Sequence, residues 1–463
     1  MSTSLLKVHS PYNQDELGSM SSMDWLAVSE KLDHSLEAFQ NRKQWLPVHE
    51  RVGILERTTR LMMKHHAKLA MQISKEGGKP LKDALVETTR AIDGVRLAIE
   101  TIRTEAGNVV PMSSTMAAAN KMAMTQLEPI GVVVAVSAFN HPLNLIVHQV
   151  ASAVAAGCPV LVKPANDTPL SCQNFVDLLI EAGLPEVWCQ CIITEDRSVA
   201  EALVTDPRVS FFSFIGSPGV GWSLRSKLAP GTRCSLEHGG AAPVIVNDST
   251  NLQTTVNAIT KGGFYHAGQV CVSVQRVYVN EAIANDFLEV FKKTVSQLVV
   301  GDPMLMETDV GPLIREAEVS RVDSWVKEAI EQGADLICGG TALGKQCYAP
   351  TILLNPDAES AVSQKEIFGP VVCVYTYRSI DDAIQRANSL PFAFQAAVFT
   401  AELETAMHCY KQLNASAVMV NDHSAFRVDN MPFAGLKQSG LGVGGIQHTI
   451  RDMQIEKMLV LSM

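Results

Sequence analysis

Ile130-Gly131-Val132-Val133-Val134-Ala135-Val136 is a short, uninterrupted apolar run. A strand with one wet face alternates apolar and polar residues, whereas a run like this marks a strand buried on both faces. Helices must then cover it on either side. The pattern continues downstream. The sequence predicts a helix over 144–156, a strand over 159–162, a helix over 169–181 and a strand over 187–193. A helix over 198–204, a strand over 209–214 and a helix after Gly219 follow. Strand–helix alternation of this kind implies parallel strands joined by crossovers. The fold class is α/β.

A second α/β series runs from about Pro243 to Val420, with strands over 244–246, 276–279, 371–375, 396–399 and 417–420. Upstream, three- and four-residue apolar spacing predicts helices over 25–39, 51–72 and 81–102, punctuated by Gly77, Gly78 and Pro80. A chain of 463 residues exceeds one ordinary core, so two or three domains are expected. The tail ends in the apolar stretch Met458-Leu459-Val460-Leu461. Such a strand is an exposed edge unless its own chain or another subunit pairs with it, and assembly through the tail is one of those two outcomes.

Bulk properties remove several function classes. A net charge of −10 argues against nucleic-acid binding, which needs a basic face. No run of about 20 apolar residues is present to span a membrane, and the polar start, Met1 to Asn13, lacks the layout of a secretion signal. The ten cysteines are scattered through apolar contexts, as in a reducing, cytoplasmic compartment. Cys189 and Cys191 form the one close pair, with no Cys/His partners at metal-ligand spacing, so no metal is expected.

Chemistry gathers at loops beside strands. Gly268-Gln269-Val270-Cys271 follows an expected helix over 252–266 and precedes a strand. A lone cysteine is most often a small buried hydrophobe, so its company decides. Glu237, in Ser235-Leu236-Glu237-His238-Gly239-Gly240, ends a short strand against two glycines and suits a general base. A carboxylate capping a strand is the competing reading. Asn140, beside Phe139, lies past the carboxyl end of the first buried strand, where α/β crevices form. Its amide suits an oxyanion, although such residues also serve as turn caps. Lys163 and Asn166 follow the next strand, in position for a ribose or phosphate. Gly216 and Ser217 open a helix whose first N–H groups suit a pyrophosphate, in a glycine pattern that is weak alone. Glu366 and Phe368 stand in Glu366-Ile367-Phe368-Gly369-Pro370, a tight turn before a strand.

In this order and at these gaps, the segments resemble the aldehyde dehydrogenase superfamily from about Pro11 to the C-terminus. Its Glu-Leu-Gly-Gly segment appears as Glu237-His238-Gly239-Gly240, its Gly-Gln-x-Cys as Gly268 to Cys271, and its Glu-Ile-Phe-Gly-Pro in full. The resemblance implies Cys271 as nucleophile, Glu237 as general base, and Asn140 with the Cys271 N–H as oxyanion hole. Phe139, Lys163, Asn166, Gly216, Ser217, Glu366 and Phe368 would line the site of NAD or NADP. It also implies a Rossmann-like dinucleotide-binding domain (1–108 and 127–238), a catalytic domain (239–439) and a small β oligomerisation arm (109–126 and 440–463). The arm points to a homodimer or homotetramer. Arg427 and Phe433 lie in the substrate-funnel segment, which resembles members acting on small polar or anionic aldehydes such as lactaldehyde, phosphonoacetaldehyde and semialdehydes. Arg427 would face an anionic group of the substrate or, equally, form a structural salt bridge with Asp429 or another acid.

Two other chemistries on this scaffold are disfavoured. CoA-acylating relatives typically lack the base that Glu237 would supply, and a non-catalytic protein would have no reason to keep Cys271, Glu237 and Asn140 together. A cysteine hydrolase would need a histidine–acid partner for Cys271, and His266 has none nearby. His238 replaces an apolar residue; on a strand it should point away from Glu237 and pack. Thr194 to Arg197 lacks the glycines common there, and Arg197 is placed to assist a phosphate. Asn166 stands where NAD-preferring members often carry a glutamate, which would repel a 2′-phosphate. NADP should therefore be accepted at least as well as NAD. Comparing kcat/KM for the two cofactors tests this, and a tenfold advantage for NAD would refute it.

Overall fold

The computed structural model describes residues 4–463. Its first sheet has six strands in the order Gly440–Leu441, Arg233–Glu237, Val209–Ile215, Val132–Val136, Val160–Lys163 and Cys189–Cys191. All pairs are parallel except the first. Numbered along the chain, the five parallel strands lie 3-2-1-4-5, the order of a dinucleotide-binding sheet. Both faces of Val132–Val136 are covered, as its unbroken apolar run requires. Val133 and Ala135 join one core with the helices Val48–Lys64 and Leu81–Thr104, while Val132 and Val134 join another with Val28 and Leu32.

The second sheet has seven strands: Asp335–Cys338, Thr351–Leu354, Val371–Tyr377, Val274–Asn280, Ala242–Val246, Gln395–Phe399 and Ala417–Val420. Only the first pair is antiparallel. Its core is separate, built around Val244, Val277, Val372 and Phe291.

The terminal strand, Gln454–Ser462, starts earlier than its apolar stretch suggested and has a partner in its own chain. It runs antiparallel to Lys121–Pro129, from Gln454 opposite Pro129 to Ser462 opposite Lys121, and Val109–Val110 completes a three-stranded sheet. Backbone pairing within the chain therefore corrects the unpartnered edge, yet Met458 to Leu461 keep 40–55% of their surface exposed. The arm also differs in extent. Residues 440–453 do not belong to it: Leu441 pairs with Leu236, and Ile446, Ile450 and Met453 enter the first core. The tail's glycines hid this, because they carry no burial signal.

Two helices are less regular than their periodicity suggests. The stretch expected as one helix over 51–72 is two, Val48–Lys64 and His66–Gly77, broken at His65. The apolar stripe continues across the break because both halves bury residues in the same core. The helix over 144–156 contains a π turn at Val147–Ala151, which carries His148; such turns often accompany functional sites. Among the described residues, no helix is long and apolar enough to cross a membrane.

Candidate active site

The strand order of the first sheet reverses between Val132–Val136 and Val209–Ile215, and their carboxyl ends open a crevice there. A cleft of about 570 Å³ occupies it, lined by Asn166, Gly216 and Ser217 together with Asn140, Glu237 and Cys271. Phe139, Glu366, Phe368 and Phe433 also line it. Residues more than 200 positions apart are thus brought to one surface. Lys163 and Arg427 are not on that wall. Lys163 Nζ donates to Asn166 Oδ1 at 3.0 Å, and so reaches the cleft through its neighbour.

Cys271 is presented by an unusual turn. The expected helix stops at Phe264, and His266, Ala267 and Gly268 all take positive φ, 48°, 55° and 70°. Two of the three bear side chains, a strained arrangement that surrounding contacts must enforce. Gly268 has no alternative: a Cβ there would lie 2.1 Å from the Gly369 carbonyl oxygen. Gln269 supplies the clamp. Its Nε2 donates to the Pro312 carbonyl at 3.3 Å, its Oε1 accepts from the Ile314 N–H at 3.0 Å, and its own carbonyl accepts from Asn140 Nδ2 at 2.9 Å. An amide nitrogen carries two N–H bonds, so Asn140 keeps one for the cleft.

Glu237 ends strand Arg233–Glu237 and packs against Gly444, where a Cβ would lie 2.0 Å from its Oε1. Burial pushes its pKa up to about 7, opposed by the charge of Arg427. Burial, with the charges of Glu366 and Glu237, pushes the Cys271 thiol up to about 12. Glu366 reaches about 8, again by burial, offset by the Gly240 N–H and Arg321. Its carboxylate fills the space over Gly239, where a Cβ would come within 1.7 Å of Oε1, and that oxygen is buried without a partner. His238 does pack. Its Nδ1 donates to the Gly216 carbonyl at 2.8 Å, and its ring lies near Phe214 and Trp222, over Gly221.

Arg427 does not pair with Asp429. That carboxylate accepts from Arg90 Nε at 3.0 Å and Nη2 at 2.9 Å, from His148 Nε2 at 2.8 Å and from Asn144 Nδ2 at 3.1 Å. Arg427 stacks its guanidinium 3.9 Å from the centroid of the Phe433 ring, and its Nη1 is buried without a partner. Burial lowers its pKa to about 10, although Glu237 and Asp429 oppose this. It borders a second cavity of about 450 Å³, opening between Arg90, Arg96 and Val428. Arg427 therefore stands between that cavity and Phe433 on the wall of the Cys271 cleft.

The family model described as "Aldehyde dehydrogenase family" matches residues 1–459. The chain belongs to the aldehyde dehydrogenase family. The 3-sulfolactaldehyde dehydrogenase of Priestia aryabhattai is 38% identical over 415 residues, 90% of this chain and 87% of that protein. A lactaldehyde dehydrogenase of Methanocaldococcus jannaschii is 32% identical over 461 residues, 99% and 97% of the two chains. Among solved structures, aldehyde dehydrogenase 21 of Physcomitrella patens, in complex with the reaction product succinate, superposes with a TM-score of 0.96 at 32% identity, covering 100% of this chain and 95% of that one. Glyceraldehyde-3-phosphate dehydrogenase of M. jannaschii, complexed with NADP, gives 0.94 at 32% identity and covers both chains fully.

Several residues of this dehydrogenase's site carried no readable signal. Gly444 lay in a glycine-rich tail, and Arg90, His148 and Asn144 looked like ordinary helix positions until Asp429 joined them from 281–339 residues away. The close contact at Gly239 yields a direct test. Gly239→Ala should displace the Glu366 carboxyl group and raise KM for the nicotinamide cofactor up to about tenfold, the worth of one hydrogen bond. An unchanged KM in a variant of normal Tm would contradict it.

Proposed function

We propose that this enzyme oxidises small polar or anionic aldehydes to carboxylates through a covalent intermediate on Cys271. The observation that carries the reading is the meeting of Cys271, Glu237 and the Asn140 amide in one cleft at the switch point of a nucleotide-binding sheet. With a thiol pKa near 12, Cys271 is a poor nucleophile unless a base takes its proton, and Glu237, near 7, suits that task at neutral pH. The thiolate sulfur attacks the aldehyde carbon. The free N–H of Asn140 and the Cys271 backbone N–H stabilise the oxyanion. Collapse of this thiohemiacetal expels a hydride and leaves a thioester. Glu237 gives up the proton taken from Cys271 to solvent and then removes one from water, whose oxygen attacks the thioester carbon. The C–S bond breaks, the acid leaves as its carboxylate after losing a proton to solvent, and Glu237 returns its proton to the thiolate. The presence of Glu237 favours hydrolysis over transfer to CoA.

NAD or NADP, when bound, supplies the hydride acceptor. The residues fit such a cofactor. Helix Pro218–Arg225 points its N-terminus at the cleft, with open space around Gly219 and Ser217 unengaged as a cap, which suits a pyrophosphate. The orphaned Glu366 Oε1 suits a ribose hydroxyl, and Lys163 with Asn166 suits the adenosine ribose. A structural neighbour complexed with NADP supports the class.

Arg427 supports the substrate class. A half-buried guanidinium whose Nη1 is shut away from water without a partner is costly unless an anion or carbonyl oxygen completes it. The relatives' names point the same way, since sulfolactaldehyde, succinate and glyceraldehyde-3-phosphate all carry an anionic group. Several also carry a hydroxyl beside the aldehyde, as lactaldehyde does. The exposed apolar face of Gln454–Ser462 supports a homodimer or homotetramer built on the three-stranded sheet. Sedimentation equilibrium giving a monomer at micromolar concentration would exclude that assembly.

Two kinetic outcomes are expected. Glu237→Gln should slow turnover by about 100-fold or more, and the wild-type kcat/KM should rise with pH through about 7 as Glu237 loses its proton and becomes a base. A pH-independent rate from 6 to 8 would contradict the assignment. Arg427→Ala should raise KM for succinate semialdehyde at least tenfold while leaving propanal much less affected. Equal effects on both aldehydes would remove Arg427 from substrate docking.

A further inference from the structure

Next to Asn140 stands a histidine whose proton is placed by a buried ion pair. Lys79 and Glu87 are 0% and 1% exposed and form a salt bridge. Lys79 comes from the corner between helices His66–Gly77 and Leu81–Thr104, and Glu87 from one turn into the second. Glu87 spends its other oxygen on the loop that follows Asn140: Oε1 accepts from the Leu143 N–H at 3.0 Å and from the Asn144 N–H at 3.1 Å. Lys79 Nζ lies 2.6 Å from His141 Nδ1, while the nearer Glu87 oxygen is 3.5 Å from that nitrogen.

These distances decide the tautomer. Burial lowers the Lys79 pKa, but the Glu87 carboxylate paired with it opposes this and holds the amine as an ammonium. An ammonium only donates, so the Nδ1 facing it at hydrogen-bond distance accepts. The single proton of the neutral ring then sits on Nε2. The imidazole is held neutral: burial and the adjacent Lys79 charge pull its pKa down to about 4, against the opposing pull of Glu87. Arg90 adds to the lowering, and the other neighbouring rings, Tyr265 and His266, lie 6.1 and 6.3 Å away. His141 lines the Cys271 cleft, on the same wall as Asn140. No side chain or carbonyl among the described residues accepts from its Nε2, although the residue is only 8% exposed.

We propose that His141 is a specificity-determining residue whose Nε2–H binds an oxygen on the carbon beside the aldehyde, with Lys79 and Glu87 as the residues that position it. The inference rests on Asn140 addressing the carbonyl oxygen, as read above. If one residue serves that oxygen, the next residue on the same wall serves the oxygen one carbon further along. The favoured substrates are then 2-hydroxyaldehydes over simple aldehydes of the same length. The buried pair fixes the donor before substrate arrives, so no reorganisation is needed at binding.

Lactaldehyde and propanal differ only in that hydroxyl, and the ratio of their kcat/KM values reads the contact. Wild-type enzyme should favour lactaldehyde. His141→Phe should cut the ratio roughly tenfold, the worth of one neutral hydrogen bond, and His141→Gln, which keeps a donor, should restore part of it. A wild-type ratio of one, or a ratio unmoved in His141→Phe, would overturn the proposal. The positioning role has its own signature. In ¹⁵N-histidine NMR, the resonance missing from His141→Phe should report the Nε2–H form in the wild type. It should switch to Nδ1–H in Lys79→Met, where Glu87 alone faces the ring. A wild-type Nδ1–H form would overturn the positioning by Lys79, whether or not that variant folds. Propanal oxidation that persists in Cys271→Ala would instead remove the underlying cysteine mechanism, an outcome separate from any change in the ratio.

Discussion

One hydrogen bond, from the Asn140 amide to the Gln269 carbonyl, joins the two halves of the active site. Asn140 belongs to a loop of the first sheet, and Gln269 lies two residues before Cys271 in a loop of the second. The sheets have separate cores, so nothing in the packing of either alone sets the distance between sulfur and amide. That distance is held because Gln269 is clamped on its other side by Pro312 and Ile314, and because the backbone before it is strained at His266 and Ala267. Strain of this kind survives only where several contacts over-determine it.

Two sets of ionisable groups surround the candidate site. Lys79 with Glu87, and Arg90 with Asp429, are matched by partners and further hydrogen bonds. They hold the loops that carry Asn140 and Arg427. Glu237, Glu366 and Arg427 are half-buried without such partners among the described residues, and partial burial moves each pKa toward the neutral form. A charge taken out of water without a partner is costly, whereas a paired one is not left exposed to that cost.

Glycines make the working groups fit. Gly239 and Gly444 stand where a single Cβ would collide with the carboxylates of Glu366 and Glu237, and Gly268 stands against the Gly369 carbonyl. Gly239 and Gly268 sit inside motifs legible as motifs. Gly444 does not, because its partner lies some two hundred residues upstream and a glycine offers no side chain whose pattern could announce it. The same limit hid the pairing of Asp429. Arg427, two residues away, was one candidate partner along the chain, but Arg90 reaches it across space with a bidentate grip.

The amino-acid sequence by itself determined the α/β class, the alternation of strands and helices, and the loops that carry Cys271, Glu237 and Asn140. Those features depend on hydrophobic periodicity and turn residues within a dozen positions, which can be read along a chain. Only the tertiary structure decided which buried charges neutralise one another, that the C-terminal strand closes onto residues 121–129, and that the Lys79 amine faces Nδ1 of His141. Each of these depends on distances of a few ångströms between groups far apart in the chain, and Coulomb and hydrogen-bond energies change too steeply with distance for composition to predict them.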